Sequence, residues 1–132
     1  MTKRFIRFQL PLVLWAALVF VSSSIPSDQF PIVEIPGSDK AVHLIIYFIF
    51  CALTHRALVF QTRYPILSSN SLPLSVAASI LYGASDELHQ LLVPGREASL
   101  LDLSADALGA LAFAFWYKGR EWLRKGQTNT SN

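Results

Sequence analysis

Four apolar stretches, each closed off by charged or helix-breaking residues, set the pattern of this chain. They cover residues 8–22, 41–60, 72–93 and 99–117. The first follows Lys3, Arg4 and Arg7 and ends at Ser22-Ser23-Ser24-Ile25-Pro26, where proline cannot continue a helix. Ser38-Asp39-Lys40 opens the second, and Pro94-Gly95 closes the third. Lys118 and Arg120 follow the fourth. Each stretch approaches the roughly 20 residues that cross a hydrocarbon core of about 30 Å. In that core every backbone N–H must find its partner within the segment, so helices are the expected form. The pattern predicts an all-α fold, a four-helix transmembrane bundle built as one domain over residues 1–132, with irregular connections at 25–38 and 61–71.

Composition agrees: 52% of the residues are hydrophobic, 15% are charged, and the mean hydropathy is +0.40. Soluble domains carry about 25% charged residues. Cys51 is the single cysteine, which excludes an internal disulfide and a thiolate metal site. The net charge of +2 is small, and the basic residues sit at span ends rather than among aromatics, so nucleic acid is not expected as a partner.

Charge also orients the bundle. An even number of crossings puts both termini on one side, with Lys3, Arg4, Arg7, Arg56, Arg63, Lys118, Arg120, Arg124 and Lys125. Lys40 and Arg96 fall on the other. The positive-inside rule makes the first side cytoplasmic and the protein a multi-pass membrane protein. A basic start, an apolar run and a Ser-rich end also describe a signal peptide, whose removal would leave three spans.

Helical spacing shows which polar side chains can meet. Asp39, His43 and Tyr47 recur every four residues on the second span, and so share one face. Asp86 and Gln90 repeat the spacing on the third, with Glu87 on an adjacent face. Ser99, Asp102 and Asp106 continue it on the fourth, followed by Gly109, where a neighbouring helix could approach closely. The intervening turn supplies Arg96 and Glu97. At 1.5 Å per residue, His43 and Asp106 lie about 10 Å below the outer surface. An Asp near a span's centre costs about 2.5–3.5 kcal/mol, so these groups should face the bundle interior or each other. Arg96 is the expected partner of Asp102, leaving Asp106 to His43. Plainer roles compete: Asp39 as an N-cap, Ser99 with Asp102 as a capping box, His89 at the outer interface, and His55 snorkelling beside Arg56.

These residues resemble the VanZ-like family of small bacterial membrane proteins. The resemblance rests on Asp39-Lys40-x-x-His43-x-x-x-Tyr47 and on Asp86-Glu87-x-x-Gln90-x-x-x-Pro94-Gly95-Arg96-x-x-Ser99-x-x-Asp102-x-x-x-Asp106-x-x-Gly109. Where the family's pattern usually has Asn, this chain has Asp106. The resemblance implies a cell-envelope role, since the family takes its name from a protein associated with resistance to the glycopeptide teicoplanin.

Three functions follow as expectations. The first is an envelope protein whose outward-facing site binds a lipid headgroup or a cell-wall component through Asp39, Lys40, His43, Tyr47, Asp86, Glu87, Gln90, Arg96, Ser99, Asp102 and Asp106. The second is an intramembrane enzyme acting on a lipid-linked substrate, with His43, Asp86, Glu87 and Asp106 as candidates for acid–base work. The third is a small transporter, although no polar path continues below Tyr47. No cofactor is indicated, and one histidine makes a poor zinc set, so no metal centre is expected.

Overall fold

The computed structural model describes residues 3–26 and 38–129. Six helices follow in order: α1 (Lys3–Phe8), α2 (Leu10–Ser23), α3 (Ser38–Phe60), α4 (Pro65–Ser69), α5 (Ser71–Gln90) and α6 (Leu100–Asn129). Among the described residues the regular structure is entirely helical. Helices α3, α5 and α6 all pack on one another, and α2 leans on α3 and α5. Two helices are long and apolar enough to cross a membrane, over Asp39–Phe60 and Leu100–Gln127, and α2 is a shorter apolar helix.

The elements depart from the apolar stretches where helical hydrogen bonding and hydropathy part company. Pro11, at the start of α2, has no N–H to give the preceding turn, and the helix breaks at Gln9. The fourth apolar stretch ends at 117, yet α6 runs on to Asn129. Its last turns hold good helix formers, with Lys118 and Glu121 one turn apart at 4.0 Å. Within the connection read as irregular at 61–71, Pro65 takes the first helical position of α4. The third stretch leaves its helix at Gln90, and Gly95 turns the chain at φ 73°, a left-handed angle natural to glycine. The connection at 25–38 lies almost wholly outside the described residues.

The bundle is polar inside and apolar outside. Ser71, Ser75, Ser79, Gly83 and Glu87 recur every four residues down α5, and all are buried. Leu81 on the same helix is 70% exposed, and Leu14, Ile45, Leu108 and Phe115 also face outward. Small inward residues let helices approach closely, the arrangement helices use when lipid replaces water around them. An outward apolar surface so extensive has no driving force in water. At the end bearing the chain termini, His55 is buried against the Tyr117 ring at 4.4 Å and the Phe113 ring at 5.7 Å. The snorkelling expected of it therefore does not occur, because aromatic packing with α6 fills that position.

Candidate functional site

Three helices bring polar side chains to the end of the bundle that carries the α5–α6 turn. His43 lies in the second turn of α3, Asp106 in the second turn of α6, and Glu87 in the last turn of α5. At 1.5 Å per residue each is about 5–9 Å from its helix end, so the three share one layer. His43 Nδ1 is 2.9 Å from Asp106 Oδ1. One ligand-type atom from each of His43, Glu87 and Asp106 lies within 4.8 Å of the other two. No metal centre is expected from the sequence, where a single histidine makes a poor zinc set; the structure adds Glu87, which periodicity could not turn toward that histidine.

Two glycines make this convergence sterically possible. A methyl on Gly83 would lie 2.8 Å from Asp106 Oδ2 and 3.3 Å from the Tyr47 ring. A methyl on Gly109 would overlap the Leu44 carbonyl oxygen, so α6 crosses α3 backbone to backbone there. Tyr47 and Asp106 are each 1% exposed and fill the floor of the site. Asp106 Oδ2, Glu87 Oε1 and the Tyr47 hydroxyl are buried with no hydrogen-bond partner among the described residues.

Above this floor is an exposed rim. Lys40 Nζ is 2.5 Å from Asp39 Oδ2 and 3.2 Å from Asp102 Oδ1. Asp102 is thus the partner of Lys40, while Arg96 takes a different direction from the one expected. Its guanidinium donates to the carbonyls of Ile25 at 3.1 Å and Ser22 at 3.3 Å, closing the end of α2. Carbonyls at a helix end lack the regular intrahelical bond, and a fork of N–H donors suits them, here beside the Ile25 N–H that Ser22 O also accepts at 3.3 Å.

The capping box read at Ser99 and Asp102 is only half present. Ser99 Oγ accepts the Asp102 N–H at 3.2 Å, as an N-cap should. The return bond comes instead from another helix: Glu87 Oε2 accepts the Ser99 N–H at 2.7 Å. A carboxylate at a helix N-terminus also meets the positive end of the helix dipole. Glu87 therefore joins α5 to α6 and leaves Asp102 available to Lys40.

The remaining polar residues form a second group against α2. Ser23 Oγ donates to Asp86 Oδ1 at 2.6 Å, and Gln90 Nε2 donates to Asp86 Oδ2 at 3.4 Å. His89 Nε2 lies 2.9 Å from Ser24 Oγ, and its ring stacks on Phe20. His89 is thus half-buried at a contact with α2 in the last turn of α5. Asp86, Gln90 and Arg96 consequently dock α2, whereas Asp39, Lys40, His43, Tyr47, Glu87, Ser99, Asp102 and Asp106 make up the layered cluster. A cavity of about 540 Å³ between α5 and α6 lies apart from both, lined by apolar residues such as Val76, Ile80 and Phe115.

The model of the VanZ/LLP1 family matches residues 8–124, from the start of the first apolar stretch to the polar end of α6. The chain belongs to the VanZ/LLP1 family. No curated protein and no solved structure matches it. In this VanZ/LLP1 chain both polar groups fall inside the matched region. Sequence reasoning passed over Gly83 and the serines of α5. Their signal was present as a four-residue repeat of small side chains, which marks a helix face pressed against a neighbour.

Proposed function

We propose that the protein is a multi-pass membrane protein of the bacterial envelope, with both termini cytoplasmic, that binds the polar headgroup of an outer-leaflet lipid or lipid-linked cell-wall component. One observation carries this reading. A floor of half-buried His43 with buried Glu87 and Asp106 keeps two carboxylate oxygens without partners among the described residues, beneath a partly exposed charged rim of Asp39, Lys40 and Asp102. Buried polar atoms are normally satisfied, and a group of exceptions beside an open rim is the signature of a place for a ligand. The rim's mixed charges suit a zwitterionic or amide-bearing headgroup. A first span kept in the bundle fits this topology and the hydrogen bonds by which Ser23, Ser24 and the end of α2 meet Asp86, His89 and Arg96. Removing that span would strip a buried carboxylate of its donor.

The test is susceptibility of a bacterium expressing the chain to a glycopeptide antibiotic. Wild type should change the inhibitory concentration, and His43→Ala, Glu87→Ala and Asp106→Ala should abolish the change while still accumulating in the membrane. Variants that behave like wild type would overturn the binding role.

The hydrogen bond between His43 and Asp106 favours a second reading, acid–base catalysis on a lipid-linked substrate. Conversion of a labelled lipid-linked precursor by purified protein, lost in His43→Ala, would decide for it. The nucleophiles in reach are poorly placed: Ser99 Oγ accepts from the Asp102 N–H, and Cys51 is fully buried.

A further inference from the structure

The geometry points to a divalent metal ion held by His43, Glu87 and Asp106, of the kind that accepts imidazole and carboxylate together, such as Mn²⁺ or Zn²⁺. Three points within 4.8 Å of one another lie no farther than about 2.8 Å from a common centre, close to the roughly 2.0–2.6 Å at which nitrogen and oxygen bind divalent cations. The spacing of 2.9 Å between His43 Nδ1 and Asp106 Oδ1 also fits two adjacent ligands on one ion, which sit about 3 Å apart at right angles. Three helices supply one donor each, so the bundle itself fixes the set.

Charge and partnership give an independent reason. Glu87 Oε1 and Asp106 Oδ2 are buried and have no partner among the described residues, while Glu87 Oε2 is already held by the Ser99 N–H. Lys40 is engaged by Asp39 and Asp102 on the rim, and Arg96 donates to the end of α2. A protonated His43 could balance Asp106 but not Glu87 as well. Two carboxylates, a neutral imidazole and a divalent ion sum to zero charge, the least costly state for a dry interior. Mixed nitrogen and oxygen donors select first-row transition ions over Mg²⁺ and Ca²⁺, which prefer oxygen alone. The His43 side chain is 22% exposed and Asp106 1%, so one ligand faces outward and the other closes the floor. An alkylammonium headgroup would have to bring its substituents down to that floor, whereas a bare ion brings none.

The inference rests on the proposed function only in treating this cluster as a binding site. Purified full-length protein in detergent or nanodiscs, stripped with chelator, would be titrated with Mn²⁺, Zn²⁺, Mg²⁺ and Ca²⁺ and assayed for bound metal by elemental analysis. One Mn²⁺ or Zn²⁺ per chain is expected, with a rise in unfolding temperature. Glu87→Gln and Asp106→Asn keep shape but weaken a ligand, and each should lower affinity by about 10–100-fold or more. Helix content and a monodisperse elution profile would establish that the variants fold, and His43→Gln replaces either one that does not. Absence of stoichiometric binding by wild type, binding unaltered in folded variants, or binding of Mg²⁺ or Ca²⁺ alone would overturn the proposal. The two claims fail separately. One bound ion without any antibiotic phenotype leaves the metal site and removes the envelope role, and a phenotype without a bound ion does the reverse.

Discussion

Asp106 stands where the motif resemblance implies Asn, and its surroundings show what a carboxylate there involves. One carboxylate oxygen meets His43 and the other faces Gly83, with no room for a methyl between them. Asp106→Asn keeps the shape and removes the charge. If the pair with His43 serves only stability, the variant should unfold at a lower temperature, since unpairing a buried charge costs about 3–5 kcal/mol. If the cluster is a site, the fold should survive while the glycopeptide phenotype changes. Thermal unfolding in detergent, run beside the susceptibility assay, separates the two. The glycines provide a second set of expectations. Gly83→Ala should destabilise by about 1–3 kcal/mol, because the far end of the Asp106 side chain can shift a little. Gly109→Ala should cost more, since its methyl would meet the α3 backbone, which cannot move alone. Gly119→Ala, with nothing near it, should be neutral or slightly stabilising through helix propensity. Equal effects at all three positions would sink the close-approach explanation.

At the scale of elements, the start of α6 is built by two helices together. Ser99→Ala should cost about 1 kcal/mol, the ordinary value of an N-cap, and speed amide exchange in the first turn of α6. Glu87→Ala should do the same from another helix, because the Ser99 N–H would lose its acceptor. Asp102→Ala should leave that amide protected, which distinguishes this cap from a capping box closed within one helix. Hydrogen exchange at residues 99–103 reads all three outcomes. The attachment of α2 is equally specific. A Ser23→Ala/Arg96→Ala double variant should raise exchange over residues 10–23 while the core helices keep their protection. Uniform loosening of every helix would mean that α2 is part of the core and not an attached element.

For the molecule as a whole, the expectation is a topology. In a Cys51→Ser background, a cysteine replacing Glu97 should react with an impermeant reagent from outside, because that exposed turn lies at the end opposite the basic termini. Inward-only labelling would reverse the orientation and place the polar cluster on the cytoplasmic side. The buried Cys51, 3.5 Å from Ser75, should not react in the wild-type fold. Large apolar side chains on the outside and many buried polar ones are the pattern expected of a lipid-exposed bundle, so these measurements belong in bilayers or detergent.

The sequence by itself determined the helical class, the family, and the faces on which Asp39, His43, Tyr47, Asp102 and Asp106 line up. These follow from local periodicity and from motif order, which one chain carries in full. Gly109 was legible in the same way, as a small residue one turn below a polar row. Tertiary structure alone decided the partners. Lys40 rather than Arg96 reached Asp102, Glu87 rather than Asp102 closed the cap on Ser99, and Asp86 turned to α2 rather than joining the cluster of His43 and Asp106. Helical spacing fixes which side chains share a face, but not the rotation of one helix about its axis relative to another. That rotation is set by where helices can approach most closely, backbone to backbone at Gly109 and against the Asp106 and Tyr47 side chains at Gly83, and long side chains then reach whichever carbonyl or carboxylate the packing leaves within range.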